Sequence, residues 1–182
     1  PYGCAKLAAH SLVRVYRESY NIFACAGICF NNESPRRGEN FVTRKITKYV
    51  SNLAAEINRN GCIPNNWPKL HLGNLAARRD WSFTGDIVQA IWLMLQQSNP
   101  MDYVLSSGTS YSIEDFLKKA FAYLNLNYRN YVVCDPKFLR PAEVNHLLGN
   151  SNKAKQELGW TTKMSLDKLI NIMIESDIKC HD

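Results

Sequence analysis

Ile22-Phe-Ala-Cys-Ala-Gly-Ile-Cys-Phe30 is short, continuously apolar and free of charge. That pattern predicts a strand covered on both faces, as strands of parallel sheets are. Upstream, Leu12, Val13, Tyr16 and Tyr20 recur at helical spacing while Arg14, Arg17 and Glu18 take other faces, so Gly3 to Tyr20 reads as a helix ending near Asn21. Helix followed by buried strand is half of a βαβ unit. Downstream come the polar turn NNESPRRGEN (31–40), a second helix from Phe41 to about Asn58, a loop with Gly61, Pro64 and Pro68, and a short strand at Leu70–Leu72. A helix at Asp86–Gln97 then leads to a strand at Tyr103–Ser106. Ser112 with Asp115 has the spacing of a capping box opening a helix to about Leu124. A strand near Tyr131–Cys134 and a loop through Pro136 and Pro141 precede two closing helices, with Ser151 and Ser165 as N-caps and Gly159 as the stop of the first. The alternation predicts an α/β fold.

With 46% hydrophobic residues in 182, the chain carries enough apolar material for one sizeable core. Nothing resembles a basic-then-apolar leader or a bilayer-spanning run, so the expectation is a soluble, cytoplasmic protein with no membrane partner. Cys25 and Cys29 lie four residues apart on the apolar run, roughly 13 Å along a strand, too far for a mutual disulfide. The six cysteines are expected as buried free thiols. They and the four histidines show no ligand spacing, and no metal is expected.

The net charge of +6 raises nucleic-acid binding as a function. The cations instead fall into small groups, Arg36–Arg37, Arg44–Lys45–Lys48, Arg78–Arg79 and Arg140. Discrete pairs suit a small ligand with two or three phosphates; single-strand binding needs a basic stripe interleaved with aromatics, which is not evident.

Tyr2-Gly-Cys-Ala-Lys6 places a phenol and an ammonium on one helical face. The cation and the positive end of the helix dipole both favour the phenolate, so such a tyrosine can exchange a proton with a sugar hydroxyl. The same spacing also occurs in ordinary amphipathic helices. Likewise, Arg36–Arg37 after the Pro35 turn present donor forks suited to phosphate oxygens or simply form a solvated basic loop. Lys45 is a ligand contact or exposed helix surface, and Arg79 a phosphate ligand or Asp80's ion-pair partner.

PYGCAKLAAH at the head of a helix resembles the catalytic helix of short-chain dehydrogenases. FNNESPRRGENFVTRKI (30–46), LGNLAARRDW (72–81), FLRPAEVNHLLGN (138–150) and KAKQELGW (153–160) are similar, in the same order, to segments of the GDP-mannose 4,6-dehydratase family, whose C-terminal half the chain resembles. The resemblance implies the C-terminal part of a Rossmann-type parallel sheet (1–34 and 84–108) interleaved with a smaller α/β nucleotide-sugar domain (35–83 and 109–182). It implies Tyr2 and Lys6 as catalytic residues that also contact NADP, with Asn32 and Arg37 as further cofactor contacts. It places Asn31 near the sugar and phosphates of GDP-mannose, Val42 and Lys45 near the guanine, Arg79 on the diphosphate, and Arg140 and Glu143 around the phosphate and ribose. The family usually has histidine where this chain has Asn32, which removes an imidazole from the cofactor contact. A homo-oligomer, dimer or tetramer, is implied for the complete protein.

The implied reaction has three steps: NADP oxidises C4 of the mannosyl unit with Tyr2 as base, a glutamate removes a C5 proton as water leaves C6, and hydride returns to C6. That glutamate, a threonine or serine, and the glycine-rich turn that admits a dinucleotide pyrophosphate lie before the tyrosine in the family, and none of the nine glycines here forms such a turn. The expectation is a partial enzyme, inactive alone, either one segment of a longer polypeptide or a split or decayed product. The competing readings are a GDP-sugar-binding or oligomerisation module without catalysis, and a related epimerase or dehydratase with another base specificity.

Overall fold

The computed structural model describes residues 1–139 and 142–180. Helix α1 (Tyr2–Tyr20) closes on Asn21, which turns the chain in the left-handed region at φ 52°. The apolar run that follows is strand only over β1 (Gly27–Cys29), and all three residues are exposed, contrary to the expected two-sided burial. The physical reason lies in its neighbours. Among the described residues, β1 pairs in parallel with β5 (Tyr103–Leu105) alone, and α1 buries none of its residues. Ile22, Phe23 and Ile28 consequently stand in solvent. The cysteines follow suit: Cys4, Cys29, Cys62, Cys134 and Cys180 are exposed rather than buried.

After Phe30 the chain passes into a second sheet, in which β4 (Arg78–Phe83) pairs in parallel with β2 (Asn31–Glu33) and antiparallel with β6 (Ser110–Ser112). A third pair joins β3 (Leu70–Leu72) to β7 (Val132–Cys134) in parallel. The fold is mixed α/β, with one antiparallel ladder in place of a wholly parallel arrangement. β2, read from the sequence as the start of a polar turn, and β4 and β6 were not anticipated. Arg-Arg-Asp-Trp-Ser-Phe lacks the apolar alternation of a half-buried strand because polar groups occupy both its faces.

Helices α2 (Val42–Asn60), α4 (Ile113–Ala122) and α6 (Leu166–Ile178) enclose the larger core. α2 contributes Ile46, Val50, Leu53 and Ala54, one stripe at helical spacing, against Phe116 and Phe121 of α4 and Ile170, Met173 and Ile174 of α6. The predicted capping box is present, with Ser112 Oγ and the Asp115 carboxylate each accepting the other's backbone N–H at 2.9 Å. Ser165 accepts from Lys168 N, and Gly159 ends α5 (Asn152–Leu158) at φ 63°. Ser151 makes no capping bond; its hydroxyl donates to Ser106 O at 3.2 Å. A smaller cluster joins Ile87, Ala90 and Met94 of α3 (Thr84–Met94) to Tyr103, Leu105, Ala154 and Trp160.

Three polar links lock these parts. Asp80, fully buried, accepts from Ser107 N (2.8 Å), Ser107 Oγ (2.6 Å), Gly108 N (3.0 Å) and Gly149 N (3.2 Å). Asp102 receives two guanidinium bonds from Arg17 at 2.8 and 3.0 Å, which tether α1 to the start of β5. That ion pair, with a backbone bond from Ala26, holds the Asp102 carboxyl at about 2, below its usual value. Arg44 of α2 pairs with Asp177 of α6, and both are buried.

A buried carboxylate left without its cation is strongly penalised, so Arg44→Ala is expected to cost about 3–5 kcal/mol in urea unfolding at pH 7. A loss below about 1 kcal/mol would show that the pair behaves as a surface contact. Breaking Arg17–Asp102 with Asp102→Asn is expected to speed amide exchange throughout α1 while leaving α4 and α6 protected; unchanged exchange in α1 would refute the tether.

Candidate nucleotide-sugar site

β2 and β4 lie side by side with Asn31 opposite Trp81 and Asn32 opposite Ser82, and side chains alternate between the two faces of such a sheet. Asn31, Glu33, Arg79 and Trp81 therefore share one face, and all four line a cavity of about 290 Å³. Its other walls are the entry to α2, with Arg37, Phe41, Val42, Thr43 and Lys45, and the end of β3, with His71, Leu72 and Gly73, together with Phe138 and Glu143. Trp81 is buried and meets Phe116 edge-on at 5.1 Å between ring centroids, so the cavity floor rests on the main core.

Five anticipated substrate contacts, Asn31, Val42, Lys45, Arg79 and Glu143, come together here from three separate stretches of chain, joined by Arg37, which was expected at the cofactor instead. Arg140 lies outside the described residues. Arg79 donates through Nη1 to Val144 O at 2.7 Å and pairs through Nη2 with Glu143, so its ion-pair partner is Glu143 and not Asp80. The guanidinium of Arg37 stacks on Phe41, 3.5 Å from the ring centroid, and Lys45 Nζ lies 5.5 Å from the centroid of Phe138.

Tyr2, Lys6 and Asn32 do not line this cavity. Tyr2 is 76% exposed, with Lys6 Nζ 5.6 Å from its ring centroid. Partial desolvation pushes the Cys29 thiol up, and the Asn32 amide and the Lys6 charge oppose the shift. Asn32 belongs to the face of β2 opposite the cavity, where its Oδ1 is buried with no partner among the described residues. The hydroxyls of Ser82, its cross-strand neighbour, and of Ser106 are in the same condition.

Glu33 was not anticipated, since nothing in NNESPRRG distinguishes a buried carboxylate from a solvated one. It is 1% exposed; Thr43 Oγ1 donates to its Oε2 at 2.6 Å, and Arg37 Nε lies 3.4 Å from that oxygen. Burial raises its pKa to about 6, against the lowering effects of the Thr43 hydroxyl and the Arg37 charge. His71, Trp81 and Phe138 were also missed as cavity residues. Trp81 lies on a strand that shows no apolar alternation, and His71 and Phe138 are brought in only by the β3–β7 pairing.

The chain shares its mixed α/β fold with extended short-chain dehydrogenase/reductase enzymes over part of their length. It superposes on the structure of RMD from Pseudomonas aeruginosa complexed with NADPH with a TM-score of 0.81 at 18% identity, covering 98% of this chain and 56% of that one. It superposes on UDP-glucose 4-epimerase from Thermotoga maritima, solved with UDP-glucose, with a TM-score of 0.79 at 22% identity over 54% of that chain. These likenesses concern the fold alone. Residues 1–173 match the GDP-mannose 4,6 dehydratase family, and the chain belongs to that family. GDP-mannose 4,6 dehydratase 2 of Arabidopsis thaliana is 48% identical over 179 residues, 98% of this chain and 46% of the relative. The human GDP-mannose 4,6 dehydratase is 39% identical over half of its own length. The chain thus spans about half the length of the curated relatives it matches.

Because Glu33's folded value lies above its unfolded one, the carboxylate costs stability above pH 6 and nothing below about pH 4.5, where both states are protonated. Glu33→Gln is therefore expected to gain about 2 kcal/mol relative to the parent in urea unfolding at pH 7.5, and the gain should vanish by pH 4.5. A difference independent of pH would contradict the assignment.

Proposed function

We propose that this chain is the nucleotide-sugar-binding part of a GDP-mannose 4,6-dehydratase, and that its cavity holds GDP-mannose. The observation that carries the reading is the convergence of Asn31, Val42, Lys45, Arg79 and Glu143 on one cavity, which Arg37, expected at the cofactor, also lines. The Arg79 guanidinium suits the diphosphate, the apolar wall around Val42 suits a base, and the Glu143 carboxylate suits ribose hydroxyls. Arg140, adjacent in sequence to Leu139, is assigned with them from the family pattern.

On this reading the face opposite the cavity receives NADP. The buried, unpartnered acceptor of Asn32 and the hydroxyls of Ser82 and Ser106 fit a ligand rich in amide and hydroxyl groups, which would supply hydride chemistry when bound. Lys6 brings a cation to the same side. Tyr2, on the first turn of α1, holds the phenol assigned to exchange the proton of the sugar hydroxyl, with Lys6 Nζ 5.6 Å from its ring centroid. The nucleotide-sugar domain is proposed to comprise 35–83 and 109–182, with 1–34 and 84–108 belonging to the cofactor domain. The solvated apolar faces of α1 (Leu7, Leu12, Tyr16) and α3 (Val88, Ile91, Trp92) suit burial against the remaining part of that domain or against a second subunit of a dimer or tetramer. A second reading, a GDP-sugar-binding module without catalysis, draws on the position of Tyr2 outside the cavity.

Calorimetric titration of the 182-residue chain is expected to show GDP binding in preference to UDP and dTDP. Arg79→Lys, which keeps the charge and loses the fork, should weaken GDP about tenfold. Preference for a pyrimidine nucleotide would sink the guanine assignment. With GDP-mannose and NADP the chain alone is expected to form no 4-keto-6-deoxy product, and product formation would overturn its description as a partial enzyme.

A further inference from the structure

At the β3 end of the cavity, His71 Nδ1 lies 3.2 Å from Asp135 Oδ2. Asp135 is itself fixed. Its backbone N–H donates to Leu72 O at 2.8 Å, and its other carboxylate oxygen accepts from Lys137 N at 3.0 Å. The parallel register of β3 and β7, with His71 opposite Val133, sets the imidazole and the carboxylate at the same end of the two strands. A carboxylate at Nδ1 favours the tautomer with the proton on that nitrogen, and in that tautomer Nε2 is a lone-pair acceptor. The side chain is half exposed, lines the cavity, and has no other polar partner among the described residues.

The surroundings select among ligands. Gly73 leaves no room for a side chain against the Phe138 carbonyl, so Phe138 sits directly beside the strand that carries His71, and Lys45 Nζ approaches its ring from α2. The cavity here presents an aromatic face, a cationic donor and an acceptor oriented by Asp135. A guanine complements that set: its O6 accepts, and its N1–H and 2-amino group donate. An adenine presents the reverse pattern, with an amino donor at position 6 and an acceptor at N1.

We propose that His71, oriented by Asp135, is a specificity-determining residue that accepts a hydrogen bond at Nε2 from the N1–H and 2-amino edge of guanine in the cavity. The inference rests on the GDP-sugar reading above and names the group that would distinguish guanine from adenine. Asp135 acts as a positioning residue for the ring. No spacing in the sequence couples the two residues, because they adjoin only through the β3–β7 pairing.

Calorimetric titration of the chain with GDP and with ADP tests this directly, since His71 is half exposed and its replacement opens no hole in the core. His71→Phe is expected to lower GDP affinity about tenfold and leave ADP affinity unchanged, collapsing the ratio between them. His71→Gln, whose amide oxygen can accept, should retain most of the preference. A GDP-to-ADP ratio in His71→Phe equal to the parent's would overturn the inference while leaving the GDP-sugar reading intact. Failure of the parent chain to bind GDP would overturn both.

Discussion

The arrangement of the cavity depends on one buried carboxylate. Asp80 sits in the middle of β4 and gathers backbone N–H groups from the turn after β5 and from Gly149, two segments far from it in sequence. A buried charge is tolerable only when its hydrogen bonds are made, and here four donors make them. Because Arg79 and Trp81 flank Asp80 on the same strand, fixing Asp80 from one face fixes the two cavity side chains on the other. The same clasp draws the segment ending at Gly149 against β4, where Arg78 N bonds Asn145 O and Leu147 N bonds Arg78 O. Glu143 thereby reaches Arg79 across a long sequence separation.

Much of this was legible beforehand. Helices with a clean apolar stripe or a defined cap, such as α2 and α4, emerged close to their observed bounds because their periodicity and their capping groups are local properties. The strands were harder. β1 was read as two-sidedly buried from its composition alone, and composition records what a segment is suited to contact rather than what this chain supplies. β4 was invisible as a strand because Arg79 and Trp81 serve the cavity on one face while Asp80 and Ser82 are buried polar groups on the other. Neither face is simply apolar, and so no period-two signal survives.

The site followed the same division. Residues within distinctive segments, Asn31, Val42 and Lys45, were nominated through the family resemblance and now share one cavity, together with Arg37, which had been nominated for the cofactor. Glu33 was not nominated, although it lies within the same segment, because its importance comes from burial against Thr43 and Arg37, which follows from the α2 entry geometry. His71 and Asp135 escaped for a different reason. Residues so far apart become neighbours only through strand register, and register is a tertiary property.

The tether of α1 has an architectural consequence. The segment bearing Tyr2 and Lys6 buries no residue and is pinned near its C-terminal end by Arg17, whereas the cavity walls are braced by the main core. On the proposed function, holding a nucleotide and aligning a proton acceptor would be mechanically decoupled in this polypeptide. The cavity is built by the main core, whereas the Tyr2 end of the helix would acquire its aim from whatever body it leans against.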